Sequence, residues 1–596
     1  MNSSSFSLRQ IAYFYCRGVV QLFRFRHFDL YQIGLTCVLL AALCSIAFLA
    51  SGRAEAPVKR FCPPWLYCLL LMFALFAARL PTFLPRMMNV DEGMFVVGAM
   101  KLRHYPVFWQ SVDGTTSGPL NFYPLTLLNI LGLPLDFATA RLLNVICIGG
   151  AIAVVYRIAR LFMPDWAARL APLAPLAAAM AFRGYDFLHY SSECVSVLLI
   201  AIGTWLLFTE SLANHANWLR GAGIGLIVVL LPLAKLQAAP MAAAIAVGGI
   251  ANAFFWHRGD AGRRLLYILA GLAAGITTLL LFLVGFGVFG TFQQAYIAEN
   301  ILHANVFEPP TFEHFVKFFL SQDLVWYESG ILASLIYVLA SSYYLETRRK
   351  GSGKASSAIP GRPFCDLFAV LLLAASLYAV CRPRSLFLHY LVFLLFPVAL
   401  VGVRTLAWSL RVSGNADHAG SSLPAVRPAM LFVAFTLVLP YLIRAKELRP
   451  PDTTEMDMAA SPARLPCEVC PLVERFAKPD DLITIWGRGE ELYVLSGTLP
   501  ATRDTHMPVE FWTHPQQDYY RRRYLEDLQL HPPKLFLDAV GPRRFLISRD
   551  TFGFETFPEL REYVTNNFYL AGDTDGVRVF ARRDAAGPFD HSSNLK

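Results

Sequence analysis

Long apolar runs alternate with short polar or basic segments along most of this chain. They lie at about 33–50, 62–80, 138–156, 166–182, 187–208, 221–234, 236–256, 265–288, 326–345, 365–381, 386–408 and 428–443. Apart from the short run 221–234, each approaches the roughly 20 residues a helix needs to cross a bilayer. The pattern predicts an α-helical polytopic membrane protein with about 11–13 transmembrane helices. One further apolar run, 119–133 (PLNFYPLTLLNILGL), is interrupted by Asn121, Pro124 and Asn129 and is predicted to lie flat at the membrane interface. No run alternates strongly enough to suggest a barrel. From residue 451 the pattern changes to polar sequence with short β-rich runs (DLITIW, PKLFLDA, VRVFARR) around a helical stretch, DYYRRRYLEDLQL. This predicts a soluble C-terminal α/β domain over 451–596.

The domain plan is therefore a basic N-terminal segment with an extra hydrophobic helix (1–60), a membrane domain (61–445) and the soluble domain. The N-terminal segment, with Arg9, Arg17, Arg24 and Arg26 ahead of 33–50, reads as a signal anchor or further span rather than a cleaved signal.

Composition agrees with this plan. The chain has 596 residues, 55% hydrophobic and only 16% charged, too little charge to cover a soluble protein. A soluble enzyme, a disordered chain and a fibrous repeat are excluded. The net charge of +9 does not call for nucleic acid, because the basic residues fall between apolar runs. Loops 157–169, 257–264, 346–363 and 409–427 carry most of them and are assigned to the cytoplasm. Loops 81–137 and 289–325 and the domain after 451 then face outward. The same scheme leaves the basic residues of 1–32 outside, against the rule. The eleven Cys form no zinc-type cluster.

On this topology the unusual polar residues gather at the outer side. They are Asp91, Glu92 and Asp113 in the first outer loop, Arg183, Asp186, His189 and Glu193 near one turn, and Lys235 inside LPLAKLQAAP. Glu299, Asn300 and His303 lie in the second outer loop, and Arg382, Arg384, His389 and Tyr390 in CRPRSLFLHYLVF. A charge at membrane depth costs roughly 2.5–3.5 kcal/mol, so a one-sided cluster marks a candidate site. A carboxylate can serve as general base, and Lys and Arg can hold an anion such as phosphate. That mix suits transfer of a group from a lipid phosphate to a hydroxyl.

The Asp91-Glu92 pair, the following GTTSGPLNFYPL, then ATARLLNVICIGGAIAVVYRIARLF, LPLAKLQAAP, HYLVFLLFP and DLITIWGRGEELYVLSGTLPATRD carry a resemblance over most of residues 60–596. Their order and spacing resemble the bacterial C-type (GT-C fold) membrane glycosyltransferases, which include the protein O-mannosyltransferases and the lipid A aminoarabinose transferase. The resemblance implies a polyprenyl-phosphate-linked sugar donor and inverting transfer to a lipid, glycan or protein acceptor. It also implies a bacterial inner-membrane location with the C-terminal domain periplasmic. Asp91 would be the catalytic base, with Glu92 orienting it or standing next to a divalent metal. The aminoarabinose transferases carry a Lys before a PPL-type turn. Here Ser117 and Gly118 precede Pro119, which moves the phosphate-binding role elsewhere and weakens the case for a lipid A acceptor.

Each candidate has a plainer reading. Asp91 and Glu92 also suit a helix N-terminus, and Lys235 could snorkel to the interface. Arg382 and Arg384 could close a surface turn, Glu299 and His303 could share a solvated helix face, and Glu193 could hydrogen-bond a neighbouring helix. The DTD at 573–575 matches the motif of soluble nucleotide-sugar transferases but reads as a hairpin turn. The CEVC at 467–470 reads as a structural disulfide or two idle thiols. Two other functions stay open: a transporter or flippase of lipid-linked sugars, against which no internal repeat is seen, and a non-catalytic assembly or sensor protein.

Overall fold

The computed structural model describes residues 62–83, 85–181, 184–320, 362–417, 467–506, 508–511, 514–541 and 548–583. Among them, six helices are long and apolar enough to cross a membrane: Phe137–Ala159, Ser192–Ser211, Leu236–Trp256, Arg258–Gly285, Pro363–Cys381 and Leu388–Trp408. Two shorter apolar helices, Pro64–Arg79 and Trp218–Ala234, accompany them. The runs at 33–50, 326–345 and 428–443 lie outside the described residues.

The interrupted run 119–133 forms a 3-10 turn, Pro119–Asn121, and the eight-residue helix Tyr123–Ile130, which is too short to cross. The run 166–182 departs from its expected single span. It forms Asp165–Ala168 and then Leu173–Ala181, nine residues that rise only about 14 Å. Pro172 is responsible in part, because a proline has no amide to carry a helix across that point.

The C-terminal region builds a five-stranded sheet in the order β2-β1-β3-β5-β4 from Leu482–Trp486 (β1), Leu499–Pro500 (β2), Leu535–Asp538 (β3), Phe568–Thr574 (β4) and Val577–Arg582 (β5). β1 runs parallel to β2 and β3, and β5 is antiparallel to β3 and β4. The alternation in LITIW sorts its side chains. Ile483 and Ile485 join Leu535 and Leu537 in one core, while Trp486 joins Tyr524 and Leu528 of the helix Gln517–Leu530 in the other. Asp575 and Gly576 join β4 to β5 with φ of 52° and 76°, so the DTD motif is a hairpin end. Cys467 and Cys470 form a disulfide.

The helix Val90–His104 connects the two regions. Its middle, Gly93–Met100, is apolar on every face, and every residue from Glu92 to Leu102 is buried. Phe95, Val96 and Ala99 pack in a core with Phe122, Phe137 and Tyr190, while Val97 enters the core of the sheet. Lys101, 401 positions from Thr502 in sequence, donates to that residue's carbonyl at 2.6 Å. The N-terminus of this helix, where Asp91 sits, is therefore fixed from both sides.

Candidate active site

Asn89 caps the helix. Its side-chain oxygen accepts from the Asp91 amide at 2.9 Å, and its amide nitrogen donates to Asp186 at 3.1 Å. Asp91 is thereby held half-buried in the first turn. Burial opposes ionisation of its carboxyl, but the combined charges of His389, His506, His189 and Lys235 hold it below the usual carboxylate range. Asp91 is thus poised as an anion among cationic and imidazole groups.

Lys235 reaches this place through a helix break. Trp218–Ala234 ends at Lys235, whose backbone is extended (φ −152°, ψ 127°) before the turn Leu236–Ala238 begins. The break frees the Ala234 carbonyl, which accepts from the Gly118 amide at 3.0 Å and the Asn121 side chain at 2.6 Å. The GTTSGPLN segment is thus strapped across the break, with Ser117 bridged to Lys235. The approach is so close that a Cβ at Gly118 would fall 2.0 Å from the Leu233 carbonyl oxygen. The Lys235 ammonium pairs with Glu193, donates to Ser192 at 2.8 Å and lies 4.6 Å from the Tyr390 ring centroid.

Histidines complete the surroundings. His389 Nδ1 lies 3.7 Å from Asp186, and its ring meets that of His189 edge-on at 6.0 Å. His189 Nδ1 is 2.8 Å from the Tyr185 carbonyl, which accepts its proton. The His189 Nε2 is buried with no hydrogen-bond partner. Burial and the Lys235 charge push His303 down to about 4, so it stands neutral at pH 7.

Asp91, Lys235, His303, His389 and Tyr390 therefore share one neighbourhood. Other expected site residues do not. Glu92 is fully buried and gripped by Arg141, at 2.9 Å from Nε and 2.7 Å from Nη2, and it accepts from the Met88 amide at 3.1 Å. Arg141 also donates to the carbonyls of Thr82 and Arg86. Glu92 thus ties the segment 82–92 to the helix Phe137–Ala159. Its oxygens are already taken, so a divalent metal beside it does not fit these residues. Among the described residues, no group of three or more His, Cys, Asp or Glu could hold a metal ion. Asp113 faces the C-terminal domain and pairs with Arg523 at 2.7 Å. Arg382 and Arg384 contact the chain at 304–307, Arg382 through an exposed bond to Asn305.

Three residues near Asp91 were not singled out from the sequence: Asn89, Arg488 and His506. Arg488 feels the Asp91 charge, and His506 pairs with Glu490 at 2.7 Å while adding to the field on Asp91. Arg488 stands between two glycines in GRGEE, the first with φ of 109°, at the β1-to-helix turn. A basic residue in a Gly-framed strand-to-helix turn is a signal that could have marked it.

No family model matches the chain, and no curated protein matches its sequence. Its architecture does match solved structures. ArnT from Cupriavidus metallidurans bound to undecaprenyl phosphate aligns at TM-score 0.52 and 12% identity, over 89% of this chain and 100% of that one. The same protein in the apo state aligns at 0.50 and 13% identity, over 87% and 99%. The chain has the GT-C fold. That fold was expected from the order of motifs after residue 60, and it extends here across both the membrane bundle and the sheet domain.

Proposed function

We propose that this chain is a membrane glycosyltransferase that moves a sugar from a polyprenyl-phosphate donor to a hydroxyl of a lipid, glycan or protein acceptor, with inversion. Its site opens on the periplasmic face of the bacterial inner membrane, where the C-terminal domain lies. The observation that carries this reading is the placement of Asp91. It is an ionised carboxylate on a capped helix N-terminus, wedged between a membrane bundle and a soluble domain and surrounded by Lys235, Arg488 and histidines. The GT-C fold supports it by analogy, and so does the undecaprenyl phosphate held by the ArnT structure.

In this mechanism an Asp91 oxygen accepts the proton of the acceptor hydroxyl. The hydroxyl oxygen bonds to the anomeric carbon as the bond from that carbon to the phosphate oxygen breaks, and the carrier departs with the electron pair. Lys235 and Arg488 supply positive charge where that phosphate builds its own, with the imidazoles of His389 and His506 beside them. Tyr390, stacked under the Lys235 ammonium, fixes where that charge sits. Glu92 and Asp113 act on the scaffold and the domain seam.

The test is Asp91→Asn assayed for transfer in membranes alongside its thermal stability. Loss of transfer at unchanged stability supports the reading. Retained transfer removes Asp91 from the mechanism.

A further inference from the structure

Where the C-terminal domain meets the two outer loops, acids outnumber bases in a fully buried seam. Asp113 comes from the first loop, Glu299 from the second, and Asp504 and Glu510 from the domain, each no more than 4% exposed. One guanidinium, Arg523, serves several of them, pairing with Asp113 and with Asp504. The neighbouring Arg503 is taken up by Asp527, at 2.6 Å. His514 lies 3.5 Å from Glu299, Tyr520 lies under Arg523, and Lys101 donates to backbone carbonyls at the edge. Main-chain bonds run through the seam too: the Asp113 amide donates to the Arg503 carbonyl at 2.7 Å.

The hydrogen bonding is incomplete on both sides, since Arg523 Nε and Nη1 are also buried without partners. Both oxygens of Glu510, one each of Asp504 and Glu299, and the Tyr520 hydroxyl are buried without partners. Buried carboxylates in such numbers cannot all stay ionised against so few cations. If they carry protons, each becomes a donor, and the orphaned acceptors beside them gain partners.

We propose that this seam is a proton-operated latch: docking of the C-terminal domain on the outer loops requires protonated carboxyls among Glu299, Asp504 and Glu510, and a rise in pH releases it. The proposal does not depend on the chemistry assigned to Asp91. The electrostatics agree with it. Burial pushes Asp504 up to about 6 against the pull of Arg523, with Asp113 adding to the rise. Burial and the Asp113 charge push Glu299 up to about 7, and burial with the Asp504 charge holds Glu510 well above its usual range. Burial draws Lys101 down to about 8, so it keeps its charge through the same window. Arg523 stays charged throughout.

The experiment is amide hydrogen exchange on the full chain in lipid nanodiscs at pH 5.5 and 7.5, corrected for the intrinsic pH dependence of exchange. Segments 105–118 and 517–530 report on the seam, and β3 and β5 serve as the internal reference. The expected result is exchange about tenfold faster in the seam at the higher pH, the linkage of one pK unit, with the reference unchanged. The double variant Glu299→Gln with Glu510→Gln carries permanent neutral donors and should remain protected at both values. Should that pair fail to fold, Asp504→Asn alone should flatten the pH response by at least half. Equal protection of the native seam at both pH values overturns the proposal, and so does an undiminished pH response in the amide variants.

Discussion

Two buried charge clusters adjoin where the membrane bundle meets the C-terminal domain, and they differ in how their carboxyls are partnered. Around Asp91, the groups Lys235, Arg488, His189, His389 and His506 act on its carboxyl, and Glu193, Asp186 and Glu490 pair individually with Lys235, His389 and His506. In the seam the carboxylates prevail, with Asp113, Asp504, Glu299 and Glu510 around Arg523. The clusters meet at His303, whose protonation the His514 charge opposes. Cationic and imidazole groups close to Asp91 keep that one acid ionised where an anion could depart. The surplus of negative charge forces other acids to stay protonated where two parts of the chain dock. The same residue type, a buried carboxyl, thus serves opposite ends according to its neighbours.

The sharpest way to break this contrast is at adjacent positions. Asp91→Asn should lower transfer by roughly a hundred- to ten-thousand-fold, the span of general-base catalysis, with no shift in thermal midpoint. Glu92→Ala should instead destabilise the protein, by about 3–5 kcal/mol, because it leaves Arg141 buried without its counter-ion. Thermal unfolding in detergent micelles would separate the two, and matching profiles would end the distinction drawn between these neighbours.

The seam predicts the pH dependence of stability. Asp504 and Glu299 have folded values of about 6 and about 7, above the ordinary carboxylate range. The folded state therefore binds more protons than the unfolded one in this window. Their contribution is fully present at low pH and is lost as pH rises through about 6 to 7. The thermal midpoint should fall over that window and level off above it; a midpoint rising across it would contradict the assignment. The smallest effect belongs to Arg382→Ala. Its exposed bond to Asn305 should contribute less than about 1 kcal/mol, and the transfer rate should stay within about threefold of the parent. A larger loss would bring Arg382 into the site.

The helices were legible because their signal is local. Six of the apolar runs became helices long and apolar enough to cross a membrane, Asn121, Pro124 and Asn129 marked a segment that does not cross, and the DTD sequence read as a turn. The candidate site was legible as far as Asp91, Lys235, His303, His389 and Tyr390, since polar groups near membrane boundaries are conspicuous in an apolar chain. Where local pattern misled, a second local feature was at work: 166–182 is apolar enough to span, yet Pro172 divides it.

By itself the sequence determined which segments are apolar enough for the bilayer, where the soluble domain begins its β-rich pattern, and that an acidic pair opens the first outer loop. Only the tertiary structure decided that Arg141 claims Glu92 and leaves Asp91 at the site. It alone brought His506 and Arg488 to that site and set Asp113 against Arg523. The physical reason is range. Hydropathy and turn chemistry act between residues a few positions apart, whereas the charge on a buried carboxyl is set by groups hundreds of positions away that only docking brings near.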